Sequence, residues 1–335
     1  MARQLSPGKK LFAVVKADAY GHGAAPVAKA LVDADAFAVV SLNEALELRE
    51  SGIDKPILVL QGAYTCSSYA DFIQYALWPV VHCEEQLQWL LALQADSGIE
   101  AWIKVDTGMG RLGFQPARAQ TILEEHHDIE WFGALTHFAC ADETDNPVTT
   151  EQIKIFRSTT SQRTLQTSVA NSAGVLAWPD AQADWSRPGI MLYGCNPLDK
   201  NNVNTKMLRP AMRVSTILIS CKQYAAGATI GYGANYVCPE AMTIGYAAIG
   251  YGDGFPRVLD DSATVWIAGQ QCPIVGRVSM DSIAIDLRQI KRPEPGVEVV
   301  LWGTEHSVDI LAKAAGTISY ELLTSISGTI TYTHT

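Results

Sequence analysis

The chain has 335 residues, 48% hydrophobic and 18% charged, enough to bury a large core and to predict two domains. Its 25 Lys and Arg against 35 Asp and Glu give a net charge of −10 with no basic cluster, which argues against nucleic acid or an anionic membrane as partner. No apolar run reaches the length of a membrane span, and MARQLSPGKK lacks the apolar segment of a secretory leader, so a cytoplasmic protein is expected.

In chain order, the first 195 residues alternate short apolar runs with helical patterns. LFAVV (11–15), AFAVV (36–40), ILVL (57–60), WPVVH (78–82), AWIKV (101–105), FGALTHF (132–138), TSVAN (167–171) and RPGIMLYG (187–194) read as strands. Continuous apolar runs suit parallel strands covered on both faces, and amphipathic segments such as 84–95 and 149–160 supply the covering helices. Eight such units predict a closed barrel; six or seven would favour an open doubly wound sheet. NPLDKNNVNTKMLRP (196–210) is polar and reads as a linker. Beyond it RVSTILIS, TIGYAAIGYG, ATVWIAG, CPIVGRVSMDSIAIDL and VEVVLWG alternate with glycine turns, and no helical pattern appears before about residues 307–326. The expected fold is α/β plus β: an N-terminal (β/α)8 TIM-type barrel over 1–204 and a C-terminal mainly β domain over 205–335. The seven cysteines include no CxxC pair, so free thiols fit better than a disulfide framework. The histidines lack metal-ligand spacing; His126 and His127 in EEHHD read as a solvated helix end, and no metal site is expected.

The first strand poses the chemical question. LFAVV runs into Lys16, at the C-terminal end of a barrel strand, where such folds place reactive groups. From that residue alone, a lysine escaping to solvent and a Schiff-base lysine are equally good readings; the second makes it an anchor for pyridoxal phosphate. A phosphate cup is then required, and the loops after strands seven and eight supply one. Ser172 in ANSAG (170–174) offers a hydroxyl, and Gly189 and Ile190 in RPGI (187–190) offer backbone N–H groups. Each has a plainer reading: Ser172 as a helix N-cap, Gly189 as a turn glycine and Arg187 as a surface arginine.

Nine motifs in order span nearly the whole chain: VVKADAYGHG (14–23), KVDTGMGRLGF (104–114), THFACADE (136–143), ANSAG, RPGIMLYG, GYGANY (231–236), GYGDGFPR (250–257), GRVSMD (276–281) and SYEL (319–322). Together they make the sequence resemble the bacterial alanine racemases, fold-type III enzymes that use pyridoxal 5'-phosphate. The resemblance implies that Lys16 carries the cofactor as a Schiff base and is one of two catalytic bases. Tyr232 is the other, on the opposite face of the substrate; a glycine-flanked turn tyrosine is its plainer reading. Tyr20, Asn171, Ser172, Gly189, Ile190 and Tyr320 are implied in cofactor binding, with Tyr20 and Tyr320 on the phosphate. His137, otherwise a satisfied core histidine, would pack beside the pyridine ring, and Arg187 would bond its nitrogen. A permanently charged guanidinium there disfavours protonating the ring, which suits prompt return of a proton to Cα. Arg111 and Met280 are implied neighbours of the substrate carboxylate. Tyr251 narrows the access channel, and Asp142 and Asp281 help to shape it. Lys104 aligns with a lysine that is carbamylated in many family members. Tyr232, Tyr251 and Met280 come from the partner subunit in the family, so a homodimer with composite active sites is implied. The implied substrate is alanine, with D-alanine supplied for peptidoglycan. A broader amino-acid (serine) racemase and a non-catalytic pyridoxal-phosphate-binding protein are the alternatives.

Two departures accompany the resemblance. Family members usually begin with a strand that joins the second domain, whereas MARQLSPGKK starts inside the helix after it, so an unpaired sheet edge is expected. The ending SISGTITYTHT places Gly328 near where arginine is common.

Overall fold

The computed structural model describes residues 1–93, 97–127, 129–161 and 163–326; the ending that carries Gly328 lies outside them. The chain divides into two compact units, Met1–Leu192 with Asn196–Leu208, and Tyr193–Cys195 with the chain from Arg209 onward.

In the first unit eight parallel strands close a barrel in sequence order. They are β1 (Lys10–Val14), β2 (Ala36–Val39), β3 (Ile57–Val59), β4 (Leu77–Val81), β5 (Ala101–Lys104), β6 (Trp131–Leu135), β7 (Gln166–Ser168) and β8 (Trp185–Ser186). Closure runs through Lys10 opposite Trp185 and Leu11 opposite Ser186. The expected barrel is present, with one strand displaced. RPGIMLYG is not the eighth strand: β8 is the two residues before it, and Ile190–Tyr193 forms a 3-10 turn. Pro188 has no N–H to give a ladder, which ends the pairing there. Similarly β6 stops at Leu135, so His137 lies in the loop beyond the strand rather than at its end.

Aromatic rings from the first halves of five strands fill the barrel interior. Phe12 stacks on Trp185 with ring centres 4.2 Å apart and meets Trp102 edge-on at 5.4 Å, while Trp78 lies 4.6 Å from Phe132. Such pairs add about 0.5–1.5 kcal/mol each beyond their burial. The plug closes one end of the barrel to water and leaves the opposite end, where the strands finish, for polar chemistry. The segment expected as a linker is ordered against the barrel: the amides of Asn202 and Asn204 both donate to the Leu176 carbonyl, at 3.0 and 2.8 Å.

The second unit is mainly β, as expected. Its strands are β9 (Val214–Tyr224), β10 (Thr229–Ile230), β11 (Tyr236–Val237), β12 (Met242–Ala247), β13 (Thr264–Ile267), β14 (Gln270–Val275), β15 (Ile283–Asp286) and β16 (Glu298–Trp302). Six of them close an antiparallel barrel in the order β12–β15–β14–β13–β16–β9, and β10 and β11 form a separate hairpin. Among the described residues the six-stranded sheet does not show the expected unpaired edge: each of its strands has two partners, because the sheet closes on itself. Helices Val308–Ala314 and Ser319–Ser325 follow. All seven cysteines are free thiols, and among the described residues no helix is long and apolar enough to cross a membrane.

Candidate active site

Lys16 opens an unusual turn. Ala17, Asp18, Ala19 and Tyr20 are all left-handed, with φ between 51 and 54°. For residues with a Cβ each such position costs on the order of 1 kcal/mol or more, so the surroundings must hold the turn in place. Glu44 does much of this. Its carboxylate accepts from the Ala17 N–H at 2.7 Å, and from Val40 and Ser41 N–H at 2.6 and 3.1 Å. Asp18 closes the far side by accepting from the Ala24 N–H at 2.6 Å. The turn carries Tyr20 back against the loop after β8. A Cβ added to Gly189 would stand 2.5 Å from Tyr20 Oη, so only glycine leaves room for that phenol. Burial pushes the Tyr20 phenol up, keeping it a neutral O–H donor.

Ser172 meets the same loop. Its Oγ accepts from the Gly189 N–H at 2.8 Å and the Met191 N–H at 3.3 Å. It is not the N-cap of its helix, Ser172–Ala177; Asn171 is, accepting from the Gly174 N–H at 2.9 Å. Tyr20, Asn171, Ser172, Gly189 and the buried Ile190 thus form one corner at the ends of β1, β7 and β8.

Cations crowd the rest of the barrel mouth. Lys104, at the end of β5, is buried and its amine is pushed down to about 8, first by burial and then by Arg111 and Arg187, with Asp106 opposing. Lys16 is lowered by burial and by Arg111, with Glu44 opposing. Arg187 is buried and falls to about 10 through burial. Its Nη1 donates to Ser168 Oγ at 2.6 Å, and its Nη2 to the carbonyls of Thr136 and Val169, all neutral acceptors. His137 is held well below its usual value by burial and then by Arg187, Lys104, Arg111 and Lys16, which keeps its ring neutral. Asp142 lies on the rim; burial raises its carboxyl, with Asp199 and Glu143 adding to the rise.

This donor set fits a phosphorylated aromatic aldehyde. Two primary amines of reduced basicity, Lys16 and Lys104, share the barrel mouth with Arg111 and Arg187, beside a corner with a hydroxyl, a phenol and a glycine that clears space. Burying Lys104 and Arg187 beside further cations is unfavourable unless an anion joins them, and a phosphate and a substrate carboxylate are such anions.

The second unit leaves three of its predicted residues, Tyr232, Tyr251 and Met280, exposed. Tyr232 is 69% exposed at the start of the turn between β10 and β11. The next loop packs on the segment after β14: Tyr251 N–H donates to Ser279 O at 3.1 Å and Gly252 N–H to Met280 O at 2.9 Å. A Cβ on Gly252 would lie 3.6 Å from the Asp281 carboxylate, so Tyr251, Met280 and Asp281 are neighbours. The same loop reaches the helix that bears Tyr320, where a Cβ on Gly254 would lie 2.0 Å from Ser325 O.

Glu44 escaped sequence reasoning, although its signal was present: Ser41-Leu42-Asn43-Glu44 has the spacing of a capping box, and both capping bonds form. Ser168, which seats Arg187, carries no sequence signal, and Thr136, though it opens THFACADE, lends only its backbone carbonyl; both meet Arg187 only through barrel closure.

Comparison with known proteins places these features in context. The family model "Alanine racemase, N-terminal domain" matches residues 1–197 and "Alanine racemase, C-terminal domain" matches 211–334. An alanine racemase of Coxiella burnetii is 42% identical, covering 97% of this chain and 92% of its own length; one of Vibrio vulnificus is 39% identical, covering 98% and 93%. The crystal structure of biosynthetic alanine racemase from Pseudomonas aeruginosa superimposes with a TM-score of 0.93 at 41% identity, covering 99% of this chain and 95% of that one. That of Bartonella henselae alanine racemase, which holds covalently bound pyridoxal phosphate, gives 0.89 at 30% identity, covering 98% and 93%.

Proposed function

The chain belongs to the alanine racemase family, and from that premise we propose that Lys16 and Tyr232 are the two bases with which it interconverts L- and D-alanine. The enzyme is an isomerase with pyridoxal 5'-phosphate as its cofactor. When bound, that group supplies a conjugated, electron-withdrawing system that acidifies the Cα–H of an amino acid. The chain's own residues do the rest. Lys16 takes or returns a proton at Nζ, and burial and Arg111 lower its basicity in the direction that exchange in both senses requires. Tyr232 exchanges the proton on the other face through its phenol oxygen. Arg187 would donate to the ring nitrogen of the cofactor, and His137 would pack beside the ring. Tyr20, Asn171, Ser172, Gly189, Ile190 and Tyr320 bind the rest of the cofactor. Arg111 and the Met280 N–H hold the substrate carboxylate, while Tyr251, Asp142 and Asp281 narrow the approach.

Lys104 extends the reading. Its neutral amine adds to carbon dioxide, forming an N–C bond and releasing a proton, and the resulting carbamate holds Arg111. The exposure of Tyr232, Tyr251 and Met280 supports a homodimer in which a second copy completes each site. The same reading puts the enzyme in the cytoplasm, with alanine as substrate and D-alanine supplied for peptidoglycan.

The observation that carries the proposal is the pairing of a half-buried Lys16, its basicity lowered, with the Tyr20–Gly189–Ser172 corner. The test is D-alanine formation from L-alanine by purified protein with added pyridoxal phosphate. Tyr232→Phe lowers turnover at least about 100-fold while cofactor binding persists. Cofactor binding without turnover, equal turnover of L-serine, or a fully active Tyr232→Phe variant overturns it.

A further inference from the structure

One buried residue belongs to none of the nine sequence motifs. Gln152 sits on the inner face of helix Val148–Thr160 with 1% of its surface exposed. A buried primary amide must satisfy its donors and acceptor, and Gln152 does so on two loops at the barrel mouth. Its Oε1 accepts from the Ala139 N–H at 2.9 Å. Its Nε2 donates to the His137 carbonyl at 3.1 Å and to Thr107 Oγ1 at 3.1 Å. Thr107 Oγ1 in turn bonds Thr136 Oγ1 at 2.8 Å, and the Thr136 carbonyl accepts from Arg187. One side chain therefore connects the loop after β5, the loop after β6 and the buried guanidinium.

Two further contacts sharpen this. A Cβ on Gly108 would lie 3.8 Å from Gln152 Cγ, so the stem of the same side chain also backs the turn that leads to Arg111. That turn is otherwise tied by Asp106, which accepts from Gly108 and Gly110 N–H at 3.0 and 3.1 Å. His137 is bracketed by the clamp: Gln152 holds its carbonyl and the N–H two residues on, while Arg187 holds the carbonyl just before it.

We infer that Gln152 is a positioning residue: without touching cofactor or substrate, it fixes His137 and, through Thr107 and Thr136, the seat of Arg187. The inference rests on the alanine racemase reading and adds to it a residue outside the motifs. Misplacing groups by about 1 Å can cost about 100-fold in rate, so removing the clamp acts on turnover and cofactor affinity rather than on substrate binding.

Two variants test it. Gln152→Glu keeps the acceptor for Ala139 and loses both donors; Gln152→Met loses all three bonds at similar volume. For each, apoprotein affinity for pyridoxal phosphate is measured by quenching of tryptophan fluorescence, and kcat and KM are measured per bound cofactor. Cofactor affinity is expected to fall about tenfold or more and kcat about tenfold, with KM for alanine within about twofold. Melting curves identify folded protein; if Gln152→Met does not fold, Gln152→Glu decides. Folded variants that keep affinity and kcat within about twofold of the parent overturn the inference. A parent that binds cofactor yet never racemises alanine, with affinity still lost in the variants, overturns the racemase reading and leaves the positioning role standing.

Discussion

Replacing Lys104 by methionine should make the apoprotein more stable while making the enzyme worse. The buried Lys104 amine is pushed from 10.5 to about 8 by burial and by Arg111 and Arg187. At about 1.36 kcal/mol per pK unit, holding its charge in the folded state costs on the order of 3 kcal/mol. The sign follows from proton counting. The folded amine binds its proton less tightly than the unfolded one, so between about pH 8 and 10.5 the unfolded chain carries more protons. Stability contributed by this site therefore rises as pH rises through that window, and the penalty is complete below it. Lys104→Met keeps the volume and removes the charge. Its advantage should be up to ~3 kcal/mol at pH 7 and should vanish toward pH 10.5. Urea unfolding of both apoproteins in buffer free of carbon dioxide, followed through the barrel tryptophans Trp78, Trp102, Trp131 and Trp185, measures the difference across pH and cancels other titrations. Adding bicarbonate should stabilise the parent and leave the variant unmoved. A stability difference independent of pH, or a variant less stable than the parent at pH 7, refutes the electrostatic account of Lys104.

Three further substitutions probe other parts of the site. Gly189→Ala places a Cβ 2.5 Å from Tyr20 Oη; cofactor affinity, read by fluorescence quenching, should drop about tenfold or more, and Tyr20→Phe in the same chain should add little beyond that. Glu44→Gln removes charged acceptors from three N–H groups and should cost roughly 1.5–3 kcal/mol in urea unfolding, with turnover falling as the left-handed turn loosens; unchanged turnover would separate that turn from the chemistry. Trp102→Ala opens a cavity in the aromatic plug and should cost about 3–5 kcal/mol, lowering the melting temperature while folded molecules retain their alanine KM.

Much of this was readable along the chain. Runs such as LFAVV and AFAVV announce strands buried on both faces, and eight of them with helical spacers leave the closed barrel as the natural packing. The nine motifs single out Lys16, Arg187, Tyr232 and their companions as the residues proposed for the site, because each motif is a run of a few adjacent residues. The eighth strand was misplaced for a local reason: RPGIMLYG is apolar enough to be a strand, but Pro188 cannot join a ladder. The left-handed turn after Lys16 has little local cause, since Ala-Asp-Ala-Tyr prefers other conformations; Asp18 ties it to Ala24, and Glu44 holds it from the helix that follows β2. The seat of Arg187 on Thr136 and Ser168, the Gln152 clamp and the depressed amine of Lys104 belong to the same class. Period and adjacency are properties of consecutive residues, so strand, helix and motif could be read from order alone. Burial, strain and proton affinity are sums over neighbours that meet only when the barrel closes, and those sums turn the named residues into a site.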